Sequence, residues 1–377
     1  MAVERPPRIV HLLDSLRCGG TEKALVRLLS RFDDGAFRHT VVTLRHAEPQ
    51  AGDLPDHVGC YAMNLAGRRW GAWYGLARRV RRWDAAVLHA RNIGTWVDAT
   101  ATSLLVPGLR LVLGYHGRDE DAPLGRAQQR KTRWGLWSKA RFVSVSQKGA
   151  EELSAAGVPN DRLAVLGNGV DVGAFRRVGL EQRRLVRQSW GVGADSVVFG
   201  TVGSLTPVKA HGLLLQALAM LSQSVTNVRL VVVGDGPCRA ALMEEARLLG
   251  AASRTTWTGW RPDVEAQLSG MDVYVCCSRY EGMSNALLEA MAAGKASIAT
   301  DVGDNGRLIR HERDGFIIKP GSAAALAEAV QRLAQNSSLR QDLASSAFRR
   351  AEAFDLDSAA RRYEDYYRTL LSSKRQR

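Results

Sequence analysis

Residues 271–300 read MDVYVCCSRYEGMSNALLEAMAAGKASIAT. Val273 to Cys277 is an unbroken β-prone apolar run, the pattern of a strand buried on both faces. Ser284 is a natural helix N-cap, and Ala286, Leu287, Leu288, Ala290 and Met291 supply the helix behind it. Gly294 stops that helix, and residues 296–299 open another buried strand. The stretch therefore reads as strand, loop, helix, loop, strand.

That loop can form a site. A helix N-terminus beside a small glycine presents free backbone N–H groups and attracts anions, phosphate above all. Glu281 stands just before the N-terminus, and Glu289 lies about one and a half turns into the helix. The two acids suit a ligand with a phosphate in the middle and hydroxylated groups at its ends. A capping box at Ser278 and Glu281, with Glu289 on a solvated face, fits the same spacing.

Working outward, the flanking sequence repeats the strand–helix plan on both sides. Strands are predicted at residues 8–13, 39–44, 85–90, 110–115, 142–146 and 163–166, then at 197–202, 228–233, 255–257 and 315–319. Alternation of this kind predicts two parallel-sheet domains, as does a length of 377 residues. Pro237 is expected at the first position of the helix after the 228–233 strand.

Several loops at strand ends carry further candidates. Gly19 and Gly20 follow the first strand and precede a helix, a geometry that permits close phosphate approach, although Gly-Gly also makes ordinary turns. His116 follows the 110–115 strand, where chemistry tends to sit in open α/β sheets, although a lone histidine there also serves structure. Lys209, after Gly203-Ser204-Leu205, can reach a diphosphate as a point charge or remain a surface lysine.

The chain carries 52 Lys and Arg against 38 Asp and Glu, a net charge of +14. Such an excess asks for an anionic partner or surface. No nucleic-acid signature is present, which argues against that partner. Two basic–aromatic stretches stand out. Residues 68–82 hold Arg68, Arg69, Trp70, Trp73, Tyr74, Arg78, Arg79, Arg81 and Arg82. Residues 126–139 hold Arg130, Lys131, Arg133, Trp134, Trp137 and Lys139. They fit an anionic membrane surface, or else solvated helices with tryptophan in the core. No run approaches ~20 apolar residues and no signal-peptide core opens the chain, so a cytoplasmic, peripheral protein is expected. Its five cysteines (18, 60, 238, 276 and 277) read as reduced, buried hydrophobes.

The motif from Glu281 to Glu289 resembles the E-x7-E motif of retaining nucleotide-sugar glycosyltransferases of the GT-B fold, family 4. Gly19-Gly20-x-Glu22, His116, the segment 168–171 (NGVD), the loop 203–209, the turn 234–237 (GDGP) and the loop 258–263 are similar to other family motifs. Residues 91–95 with 116–119 look like the exopolysaccharide sugar-transferase subset linked to exosortase-type gene clusters. At two points the chain departs from the pattern. Ser204 stands where arginine is usual, and Ala210-His211-Gly212 replaces an immediate glycine after the lysine.

The resemblance implies two Rossmann-like domains facing a cleft: an acceptor-side domain at 1–178, a nucleotide-sugar domain at 190–355, and a segment 356–377 whose helix crosses back. It implies that Glu281 contacts the donor sugar, that Met283, Ser284 and Asn285 offer amides to the diphosphate, and that Glu289 holds the ribose. His116 would bind the sugar near the reacting centre, and Gly19, Gly20, Gly203, Ser204 and Lys209 would line the donor site. Trp260 and Arg261 would lie beside the base. The expected activity is retaining transfer of a hexose from a nucleotide-diphosphate sugar to a lipid-linked glycan, without a metal or cofactor. A nucleotide-sugar 2-epimerase and an accessory nucleotide-sugar-binding protein are the alternatives.

Overall fold

The computed structural model describes residues 5–16, 19–33, 35–46, 53–65, 71–117, 125–221, 225 and 227–373. They fall into two compact units. Residues up to 117, 125–169 and 356–373 make the first, and 170–355 make the second.

The first unit is a parallel sheet of seven strands: β1 (Arg8–Leu13), β2 (Arg38–Thr43), β3 (Gly59–Ala62), β4 (Ala85–Ala90), β5 (Arg110–Tyr115), β6 (Arg141–Ser144) and β7 (Leu163–Val165). Their spatial order is β3-β2-β1-β4-β5-β6-β7. Strand order therefore reverses between β1 and β4, which pair directly. Apolar side chains fill both faces, as a parallel sheet requires. Ile9, Leu13, Val41, Val87 and Val112 pack with Leu25 and Leu28 of the helix Gly20–Leu29 and with Tyr363 and Tyr367 of the helix Leu356–Ser372. Val10, Leu12, Leu88 and Leu113 pack on the other face with Leu76, Val80 and Trp96.

The second unit is a parallel sheet of six strands: β8 (Val197–Val202), β9 (Val228–Val233), β10 (Thr255–Gly259), β11 (Val273–Cys276), β12 (Ala296–Thr300) and β13 (Gly315–Ile318). Its order is β10-β9-β8-β11-β12-β13, reversing between β8 and β11. One side of its core joins Phe199, Val232, Val275 and Ile298 to Leu214 and Leu218 of the helix Gly212–Leu221 and to Leu326 and Val330 of the helix Ala323–Gln335.

Three details depart from the sequence reading. β3 was not expected: it is a short edge strand with little buried surface, so it carries no apolar run. Pro237 lies in a turn, and its helix starts at Arg239. Cys60 is exposed on β3 and Cys238 is half-buried, whereas Cys276 and Cys277 are buried and free. Cys18 lies outside the described residues.

Candidate active site

In open α/β sheets the place for a ligand is the crevice beyond the carboxyl ends of the strands where strand order reverses. In the second unit that place lies beyond β8 and β11. The chain leaves β11 into residues 277–284 and then enters the helix Asn285–Ala292. Ser284 caps this helix, its Oγ accepting from the Leu287 N–H. The remaining first-turn amides have no intrahelical acceptor and keep the partial positive charge of a helix start.

Glu281 is 9% exposed. Its Oε1 accepts from Ser278 Oγ at 2.7 Å and from Lys209 Nζ at 2.5 Å. Lys209 ends a short 3-10 turn, Pro207–Lys209, in the loop beyond β8. Burial works against the Lys209 ammonium, but the Glu281 carboxylate and the Cys276 sulfur beside it hold its pKa above the ordinary lysine value. Glu289 is buried in the helix behind. After burial itself and Cys276, both carboxylates add to the upward push on the Tyr274 phenol, so the two acids act on one neighbourhood. This is not a capping box: Ser278 donates to the Glu281 side chain, and the cap is Ser284.

The supporting loops brace the site from both sides. Gly303 has φ +55°, and a Cβ there would collide with the Glu281 carbonyl. Asp304 N–H donates to the Gly282 carbonyl at 2.9 Å, fixing the loop after β12 against the site. Thr300 Oγ1 reaches the Ser278 carbonyl at 2.7 Å, and Asn305 Nδ2 reaches the Thr300 carbonyl at 3.0 Å. On the other side a Cβ at Gly234 would strike the Gly203 carbonyl, so the 234–237 turn presses on the loop that holds Gly203 and Ser204. Leu205 N–H bonds to the Asp235 carbonyl at 3.0 Å. Ser204 is exposed.

Sequence reasoning expects residues 301–305, Asn305 among them, to line the same cleft after a strand end, but it does not single out Thr300 or Arg279. Arg279 is exposed and its N–H donates to the Val208 carbonyl at 2.8 Å, joining the two site loops. Thr300 ends β12, and that strand end is the signal that could have found it. Trp260 and Arg261 follow the edge strand β10. Trp260 is exposed, and Arg261 pairs with Asp263 at 2.8 Å.

In the first unit Gly19 caps the helix Gly20–Leu29. A Cβ on Gly19 would meet the Glu22 carboxylate, so this helix start already faces an acid of its own chain. His116 follows β5 and lines a small pocket with Arg91, Asn168 and Tyr363. Residues 118 and 119, grouped with His116 in the sequence reading, lie outside the described residues. Burial first, and the Arg91 charge second, lower the His116 pKa to about 3, so its ring is neutral at pH 7.

Arg91 is 1% exposed at the carboxyl end of β4. Its Nε and Nη2 both point to His11 Nδ1, at 3.2 and 3.1 Å. Because arginine can only donate, His11 Nδ1 accepts and its proton sits on Nε2. That proton faces His39 Nδ1 at 3.0 Å. His89 lies opposite His11 in register and bonds through Nδ1 to the Tyr367 hydroxyl at 2.8 Å. Burial, with Arg91 next, lowers the pKa of all three buried histidines, that of His39 to about 3.

Two family models match the chain without overlapping. "Glycosyltransferase Family 4" matches residues 18–174, and "Glycosyl transferases group 1" matches residues 196–336. The chain is 32% identical over 205 residues to the putative glycosyltransferase EpsD of Bacillus subtilis, covering 53% of this chain and 54% of that protein. It is 29% identical over 181 residues to the UDP-Gal:alpha-D-GlcNAc-diphosphoundecaprenol alpha-1,3-galactosyltransferase of Escherichia coli, covering 47% and 46%. The chain thus spans about half the length of the curated relatives it matches. The fold matches the crystal structure of Anabaena Alr3699/HepE in complex with UDP, with a TM-score of 0.84 at 20% identity, over 96% of this chain and 100% of that one. On the strength of both matched halves, the chain belongs to the family 4, group 1 glycosyltransferases and has the GT-B type of fold.

Proposed function

We propose that this protein is a retaining glycosyltransferase. It moves a hexose from a nucleotide-diphosphate sugar to a lipid-linked glycan of an envelope or secreted polysaccharide, at the cytoplasmic membrane face. The observation that carries the reading is the Lys209–Glu281 pair, set beside a capped helix start where the second sheet reverses strand order. Departure of a nucleoside diphosphate develops negative charge, and a preorganised ammonium with aligned amides lowers the energy of that charge in the transition state. Lys209 and the amides at Met283, Ser284 and Asn285 supply this, while Glu281 positions the sugar hydroxyls and Glu289 the ribose. The acceptor attacks on the face the diphosphate leaves, with a diphosphate oxygen taking its proton. The E. coli relative's name gives a diphosphoundecaprenol acceptor, and the HepE structure contains UDP. Both favour this substrate class.

The first unit supports a membrane setting. The helices Ala72–Arg82, Trp96–Leu105 and Arg126–Trp137 lie side by side on it. Trp73, Tyr74, Trp134 and Trp137 are exposed on them, the last by 71%, so these tryptophans are not core residues. Arg78, Arg81, Arg82, Arg126, Arg130 and Arg133 are exposed beside them, and the single acid of the three helices, Asp98, is buried. Residues 68–70 lie outside the described residues. No described helix is long and apolar enough to cross a membrane. Cationic heads near an anionic bilayer contribute about 1 kcal/mol each, and tryptophan settles at the interface.

The test is incubation with radiolabelled nucleotide sugars and membrane lipids. Label in the lipid fraction with retained anomeric configuration supports the reading. Conversion of the donor to its 2-epimer without transfer, or binding alone, overturns it.

A further inference from the structure

Arg91 is the least expected group in the first unit. A guanidinium is always charged, and a buried charge is costly unless an opposite charge or a full set of hydrogen bonds compensates it. Arg91 has no carboxylate partner among the described residues. Two of its five N–H donors converge on a single imidazole nitrogen, His11 Nδ1, and its guanidinium carbon lies 5.1 Å from the Tyr363 ring centroid. His11, His39 and His89 around it are held neutral, so none supplies a counter-charge. Yet Arg91 is not sealed in: it lines the cavity with His116, whose ring makes no hydrogen bond among the described residues. The cavity opens beyond β4 and β5, beside the β1–β4 reversal, where such sheets take ligands.

We propose that this cavity is a receptor for one anionic group of a substrate, a carboxylate or a phosphate, paired with the Arg91 guanidinium and hydrogen-bonded by His116. Arginine presents the planar donor fork that both anions match, and a pair formed in a dry cavity is stronger than one at the surface. That the anion belongs to a sugar or lipid substrate rests on the proposed transferase function, but anion binding itself does not. The chemistry admits two sources: the carboxylate of a uronic acid, or a phosphate on the acceptor.

The probes are glucuronate, inorganic phosphate and, as a neutral control, glucose. They are titrated at constant ionic strength into the full chain carrying 15N-labelled histidine. The eight histidines provide internal controls. A saturable change confined to the ring signals of His116 and His11, given by either anion and not by glucose, is the expected result. Arg91→Gln should weaken it by at least about tenfold, since it removes a charge-assisted pair. A response to glucuronate alone assigns a uronic acid, and one to phosphate alone assigns a phosphate. Unchanged His116 signals in the wild type, or an undiminished response in folded Arg91→Gln, overturn the proposal. If Arg91→Gln does not fold, the wild-type titration decides. UDP is titrated in parallel, with His211 beside Lys209 as reporter. A UDP response without an anion response removes this inference alone, and an anion response without UDP binding removes the transferase reading alone.

Discussion

Lys209 and Glu281 are 72 positions apart in the chain, and their side chains meet at 2.5 Å, with Glu281 nearly buried and Lys209 about three-tenths exposed. Each is the other's counter-charge, so removing either leaves a poorly solvated charge behind. Lys209→Ala should lower turnover by about 100-fold or more, the loss typical when a donor to a developing oxyanion is removed. Lys209→Arg should restore only part of it, because a planar fork does not fit a point-charge position. Steady-state kinetics with the cognate donor checks this. Turnover within a factor of a few of the parent in Lys209→Ala would remove the lysine from the chemistry.

Glu281 and Glu289 should separate kinetically. Glu281→Gln keeps the Ser278 contact and loses the charge facing Lys209, so turnover should fall more than donor affinity. Glu289→Ala sits behind the helix start and should weaken UDP binding by about tenfold, the cost of one hydrogen bond to a charged group. Calorimetry with UDP, alongside turnover, reads both. Equal effects of the two variants on affinity and rate would overturn the division of roles.

Gly303 is a test of the scaffold. Its φ of +55° and the Glu281 and Gly282 carbonyls against it leave no room for a methyl group. Gly303→Ala should shift the 281–284 loop and lower UDP affinity, while the hydrogen-exchange protection of β8 and β9 stays unchanged. Parental UDP affinity in this variant would show that the loop after β12 does not set the site.

How far this site could be read from the sequence follows from what each residue signals locally. β8, β9, β11 and β12 announce themselves because burial on both faces leaves unbroken apolar runs. Ser284 and Gly294 mark the helix between them, and Gly294 does adopt φ +63°. The Lys209–Glu281 pair has no local signal, since it depends on β8 and β11 being neighbours. Tryptophans show the same limit. Trp96 is 1% exposed and Trp137 71%, yet both sit in helices of the first unit, and only packing against the sheet separates them. The burial of Arg91 has no local signal either, since it follows from β4 lying at the centre of the sheet.

The exposed aromatics give a membrane prediction. Wild-type protein should bind vesicles containing anionic lipid and lose that binding as salt rises. Trp134→Ala with Trp137→Ala should weaken it while leaving UDP affinity intact, because both side chains are on the first unit's surface. Arg130→Gln with Arg133→Gln should flatten the salt dependence. Equal binding to neutral and anionic vesicles would sink the electrostatic part of this reading, and no binding at all would sink the surface itself.

The buried histidines predict how the first unit responds to acid. His11, His39 and His89 are essentially unexposed and kept neutral, with pKa values below the ordinary value of 6.5. Above pH 6.5 the folded and unfolded chains both carry neutral rings, and these groups leave stability unchanged. Below it the unfolded chain takes up protons that the folded unit refuses, so stability falls with pH until the folded values, about 3 for His39, are reached. Between pH 7.5 and 5.5 each ring should cost about 1.4 kcal/mol, and with His116, also lowered to about 3, the four rings of this unit together roughly 5.5 kcal/mol. Carboxylates titrate mostly below this window, so the slope belongs to histidine. Hydrogen exchange of β1 and β4 amides, corrected for intrinsic rates, measures it, and His39→Gln should reduce the slope by about one proton's worth. An opening free energy that stays flat from pH 7.5 to 5.5 would mean that these rings charge as readily inside the fold as outside it.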